Sequence, residues 1–211
     1  MESADGWRKC ALAGAIAVFV ILVIEHLLPH GMDLNARDHW LSEYVLSHSI
    51  TARWLMRFAF LALGVTAISV SMTFRERAPR ALFQIASLAL AAMSILDTDP
   101  NDGRPFRMSW PPTHGNLHQV ALYIAIGATL AGMAFALGRL RPSSGQGFLL
   151  IVAIGATMIQ ALLVTISQVQ GGMTHFGGVT ERIVVGAMLL WVLGPDQSKE
   201  ARYMLCRTRK A

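Results

Sequence analysis

Apolar residues fall into six runs separated by short polar stretches, at about 10–28, 54–74, 81–96, 117–137, 147–167 and 178–193. All six are rich in Ala, Leu, Ile and Val. A run of about 20 apolar residues is long enough to cross a bilayer's hydrocarbon core as a helix. Six such spans use about 120 residues, and the ~90 that remain fill loops and tails, so no second folded domain of ordinary size fits. The pattern predicts an all-α polytopic membrane protein: residues 1–211 form one domain, a six-transmembrane-helix bundle, and 196–211 are a basic cytoplasmic tail. The first run comes after Arg8 and Lys9, as a signal peptide would. It runs on into Glu25-His26-Leu27-Leu28-Pro29-His30, with no small-residue cleavage site, so it reads as a retained helix. Small residues inside the runs, such as Gly127 with Ala131, suit close helix packing.

Composition agrees with the pattern. Apolar residues make up 54% of the chain and charged residues only 15%, against roughly 25% charged in an ordinary soluble domain. The net charge of +5 does not point to nucleic acid, because no Lys/Arg cluster is interleaved with aromatics. The basic residues instead flank the apolar runs, as topology signals do. Twelve of the 18 Lys and Arg residues fall on the side of the two termini, counting Arg75, Arg77, Arg80, Arg139 and Arg141 in the loops. With six spans, both termini are expected on the cytoplasmic side of the cell (inner) membrane. Cys10 and Cys206 form neither a disulfide framework nor a zinc motif.

This orientation puts all seven histidines and eight of the 13 acids on the non-cytoplasmic side. The outer loops are also the longer ones, and loops of that length in a compact protein are usually functional or disordered. In the first, Asn35 is a fair N-cap, and Leu41, Tyr44, Val45 and His48 come after it at helical spacing. An extra interfacial helix is expected there. Either it is a lid that carries Ser42 and Glu43 over a pocket, or it lies flat with its aromatics at the headgroups.

The third run ends in Asp97, Asp99 and Asp102. Their spacing lacks the glycine and distant Glu of a calcium loop. Asp97 abuts the apolar run, so its charge needs a partner. His114 and His118 stand four residues apart and share a helix face if the helix already includes His114. Asp97 with His114 and His118 suits a zinc-like divalent metal holding a water. The plainer alternative is that His118 only ties two helices together. The sixth run is short: about 12 apolar residues separate Arg182 from Pro195. A helix long enough to span must therefore start near His175 and draw Glu181 and Arg182 into the membrane. A buried Arg needs an acid or a ligand. With Asp99 and Glu181, Arg182 is a candidate clamp for a lipid or small anionic ligand from the outer face; the alternative is a salt bridge that locks the helix.

The ordered set Leu41-Ser42-Glu43, Asp97-x-Asp99-Pro100 with Gly103, His118 opening a helix and Glu181-Arg182 opening the last one resembles the bacterial and archaeal integral-membrane family catalogued as domain of unknown function 998. The resemblance spans about residues 10–195 and implies six helices and importance of the motif positions. Tyr44 departs from it, standing where an aliphatic or small residue is expected. Intramembrane metal-dependent amidases offer a looser analogy of chemistry alone: Ser, Asp and several His at one membrane face.

Two function classes fit these residues. One is a metal-dependent lipid or amide hydrolase. Asp97, His114 and His118 would hold the metal, Ser42, Glu43 and Asp97 would do the proton chemistry, and Arg182 would stabilise anionic charge. The other is a non-enzymatic ligand-binding, sensing or scaffolding protein whose polar set is a structural network. Haem ligation would fall to His26 and His118, the two histidines at suitable helix ends.

Overall fold

The computed structural model describes residues 2–27, 39, 41–46, 49–98, 111–139, 144–170 and 176–193. Among them are six α-helices and one short 3₁₀ turn, and no strand. In chain order these are α1 (Glu2–Leu27), the 3₁₀ turn (Leu41–Leu46), α2 (Ile50–Ser71), α3 (Arg77–Met93), α4 (His114–Arg139), α5 (Ser144–Gln170) and α6 (Gly177–Leu193). Four of the helices are long and apolar enough to cross a membrane, over Asp5–Leu27, Ile50–Ser71, His114–Gly138 and Gly145–Ile166. The protein is all-helical and multi-pass. α3 and α6 have 17 residues each, a rise of about 26 Å against a hydrocarbon core of ~30 Å.

Local sequence explains where the helices start. Ser49 caps α2, its side chain accepting from the Ala52 N–H at 3.3 Å. Ahead of α4, Thr113 and Asn116 cap each other. The Asn116 N–H donates to Thr113 Oγ1 at 3.1 Å, and the Thr113 N–H donates to Asn116 Oδ1 at 3.4 Å. This is a capping box with Asn in the acceptor role, so Thr113 is the cap and His114 begins the helix.

α2 and α4 are the central helices: 50% and 44% of their most apolar stretches are buried, against 28% for α1 and 17% for α5. Close approach makes this packing possible. At Gly14 a Cβ would collide with Thr66 Oγ1 on α2, and at Gly64 it would crowd the Ser87 carbonyl of α3 at 3.2 Å. Ser87 Oγ donates back to the Gly64 carbonyl at 2.8 Å, pinning α2 to α3.

Between α1 and α2 the described residues include a six-residue 3₁₀ turn, Leu41–Leu46; residues 28–38, 40 and 47–48, which hold the rest of the helix expected there, lie outside the described residues. Leu41 and Tyr44, three apart, fall on one side of a three-residue turn. Both are buried against Met56, Phe60, Met93 and Leu122. The turn plugs the end of the bundle, because that apolar pair finds a better partner in the core than at the headgroups.

Candidate functional site

Two polar clusters form near this end of the bundle. The first is built around Arg182, one turn into α6. Its Nε donates to His26 Nε2 at 2.9 Å. One terminal nitrogen donates to the His39 carbonyl at 3.0 Å and the Gly178 carbonyl at 2.8 Å. The other donates to the Tyr44 hydroxyl at 3.1 Å. The guanidinium also lies 5.4 Å from the centre of the Tyr44 ring, which adds a cation–π attraction. Four of the five guanidinium N–H groups are thereby spent on the protein itself. His26 Nδ1 donates to the Leu22 carbonyl at 2.6 Å, which leaves Nε2 as the lone-pair nitrogen that Arg182 needs.

Glu181 secures the same turn from the other side. It is buried, and its Oε2 accepts the Leu41 N–H at 2.5 Å. Glu43 is buried as well and meets His39 Nδ1 at 3.2 Å. Neighbouring residues of α6 therefore hold successive parts of the 3₁₀ turn: Glu181 the backbone of Leu41, and Arg182 the side chain of Tyr44. Burial pushes the Tyr44 phenol above its usual range; Arg182 opposes the shift, while Glu25 and Glu43 reinforce it. We call this assembly the latch.

The second cluster joins α2, the end of α3 and the start of α4. Arg57 pairs with Asp97 and donates to the carbonyls of Ser94 at 3.3 Å and Ile95 at 3.2 Å. It thereby serves the orphan carbonyls at a helix C-terminus. His118 is fully buried; its Nδ1 donates to the Leu96 carbonyl at 3.0 Å, and its ring meets Phe60 edge-on at 5.8 Å. His114, four residues earlier, is exposed.

Of the residues singled out from the sequence, Glu43, Glu181 and Arg182 come together at the latch. Asp97 and His118 belong to the second cluster. The Ser42 side chain and the whole of Asp99 lie outside the described residues, as do His30, His48 and His175. Among the described residues no three His, Cys, Asp or Glu side chains gather as a metal site would require. Asp97 is engaged by Arg57, and His118 by a carbonyl. The two histidines weighed for haem are committed separately, His26 to Arg182 and His118 to Leu96.

Sequence reasoning gave Tyr44, His26 and Arg57 other roles: a place on an apolar stripe, a haem candidate and a topology charge. Tyr44 announced itself as the one misfit in the Ser-Glu-Tyr stretch. Glu25-His26 breaks an otherwise apolar run, the usual mark of a paired intramembrane group.

Beneath the latch lies a cavity of ≈ 80 Å³, walled by α1, α2, α3, α4, α6 and the 3₁₀ turn. Its lining is apolar, from Leu41 at the latch to Trp191 at the far end, and among the described residues Glu181 is the only ionisable one that lines it. The hydroxyls of Thr66 and Thr129, also in the wall, donate to carbonyls of their own helices, Ala62 at 2.8 Å and Ala125 at 2.7 Å.

The family described as protein of unknown function (DUF998) matches residues 11–194, and the chain belongs to it. No curated protein and no solved structure matches the chain.

Proposed function

We propose that this member of the DUF998 family crosses the cell membrane six times, with both termini in the cytoplasm, and binds an apolar ligand in the centre of its bundle beneath the latched outer turn. α3 and α6 complete the six spans. Each is a few ångströms short, a mismatch that local bilayer thinning accommodates at modest cost. The Lys and Arg asymmetry sets the orientation.

The observation that carries this reading is the cavity. A void of ≈ 80 Å³ costs about 2 kcal/mol at ~24 cal/mol per Å³. A wall made mostly of Leu, Met, Phe and Val side chains from six elements, with Glu181 as its one carboxyl, gives water few partners and favours an apolar guest. Binding returns the lost contacts. The protein is thus a ligand-binding or sensing membrane protein whose latch closes the chamber.

The test is native mass spectrometry of the protein extracted from its membrane in mild detergent. Wild type is expected to carry a small apolar adduct that Ala125→Phe, which fills the ≈ 80 Å³ cavity, releases while remaining folded. If wild type carries none, or if Ala125→Phe keeps it, the reading fails.

A further inference from the structure

We infer that the turn joining α2 to α3 seats the head group of an anionic glycerophospholipid, with its phosphate on Arg77 and Arg80 and an acyl chain along the exposed face of α3. This goes beyond the ligand reading and makes no use of the cavity. Only the leaflet comes from the proposed orientation, which puts the turn on the cytoplasmic side.

The arginines of this turn differ from the two described above. Arg57 and Arg182 spend their donors on carbonyls and side chains of the protein. Among the described residues, the side chains of Arg75, Arg77 and Arg80 have no hydrogen bond and no ion pair. Arg75 and Arg77 are exposed, so water serves them. Arg80 is half-buried, and its Nε–H is out of water with no acceptor. A buried donor left unmet is costly. That N–H and a terminal one beside it form a planar fork that matches two oxygens of a phosphate. Arg77 stands three residues away, a neighbour on the helix surface.

The charge around the turn suits an anion. Three cations face one acid, Glu76, whose side chain does not cap α3. Phe74 packs in one cluster with Ala11 of α1, which brings Arg8 and Lys9 to the same end of the bundle. A choline head would bring a further cation to a net positive site, so the fit is to a head group that has none.

α3 supplies the place for the chain. From Arg77, positions 81, 85 and 88 follow on one helix face. Ala81, Ile85 and Leu88 are all exposed there, Leu88 at 73%. The small side chain of Ala81 leaves room just beneath the head group. With 17 residues α3 is shorter than the hydrocarbon core is thick, so its first turn is held at headgroup depth. A free phosphate would use the guanidiniums and leave the apolar stripe unmatched. An anionic lipid uses both, and cytoplasmic leaflets carry such lipids.

The experiment is native mass spectrometry of the full chain in detergent, titrated with phosphatidylglycerol or with phosphatidylcholine of the same acyl chains. Phosphatidylglycerol is expected to bind at least about tenfold more tightly, one decade in Kd. Arg80→Gln should remove most of this preference, and Arg80→Lys should restore only part, because an ammonium lacks the fork. Arg53→Gln, which deletes an exposed charge at the opposite end of α2, should keep the preference. If Arg80→Gln does not fold, Arg77→Gln, at an exposed position, takes its place. Equal affinity for the two lipids overturns the inference. So does a preference that Arg53→Gln lowers as much as Arg80→Gln, since net charge alone would then account for it. Displacement of the lipid by an equal concentration of inorganic phosphate overturns it in favour of a soluble anion. None of these results bears on the cavity, which stands or falls with Ala125→Phe.

Discussion

Arg182 and Arg57 do the same kind of work in different surroundings. Each guanidinium reaches from a helix to backbone carbonyls near a helix end, and each has a carboxylate close by. Arg182 also binds the side chains of His26 on α1 and Tyr44 on the 3₁₀ turn, and Tyr44 is 1% exposed. Arg57 serves only the end of α3, and its partner Asp97 has a side chain 54% exposed. The contrast separates a polar cluster that organises the interior from one that trims a helix end. Desolvation and the number of elements joined decide which is which, not the presence of an ion pair.

The sharpest way to break this comparison is to remove the latch. Arg182→Ala removes the donor that His26 on α1, the His39 and Gly178 carbonyls and Tyr44 on the 3₁₀ turn share. The expected loss is about 3–5 kcal/mol, the range for breaking a buried charged network. Thermal unfolding in detergent measures it. Arg182→Lys should recover only part, because one ammonium cannot span acceptors that a planar fork reaches together. An Arg182→Ala melting temperature equal to wild type would mean that the latch holds nothing.

His118 tests the other cluster where it is buried. His118→Ala removes the ring packed on Phe60 and the hydrogen bond to the Leu96 carbonyl; the expected cost is about 2 kcal/mol from lost packing and one unmet carbonyl. The same cost should be measured with and without a strong chelator. A melting temperature that falls on chelation in wild type but not in His118→Ala would instead assign the ring to a metal.

Tyr44 gives the latch a pH signature. Its phenol titrates above the usual range in the folded protein, so the unfolded chain loses that proton first. Below the unfolded pKa of about 10 the contribution to stability is complete, and it is lost as pH rises toward the higher folded value. The melting temperature should therefore fall more steeply above about pH 10 in wild type than in Tyr44→Phe. At neutral pH Tyr44→Phe should cost about 1.5 kcal/mol, the lower end for a hydrogen bond from a charged donor.

The two clusters were unequally legible in the sequence. The shortness of the last apolar run marked Glu181 and Arg182 as residues that a spanning helix would draw into the membrane, and an Arg there would need partners. It did not say which, because the partners sit some 140 residues away in a turn whose helical spacing was misleading: Leu41 and Tyr44 are three apart in either kind of helix. Arg182 looked available for an anionic ligand because the sequence cannot count its occupied N–H groups. Asp97 and His118 were legible as residues needing partners, and Leu96, at the end of α3, is what His118 found. Arg57 was read only as a topology charge. The apolar cavity left no mark at all, since a lining residue and a packed one are the same amino acid.

Asp97→Asn is the mildest change and bears most directly on what separates the two arginines. The pair with Arg57 is half in solvent, and exposed pairs contribute about 0.2–1 kcal/mol that salt screens further. Arg57 keeps its bonds to the Ser94 and Ile95 carbonyls in the variant, so the end of α3 stays capped. The melting temperature should drop by no more than a few degrees at low salt, and the difference should shrink at high ionic strength. A loss as large as that of Arg182→Ala, insensitive to salt, would mean that Asp97 is desolvated in the membrane and holds the bundle as firmly as the latch does.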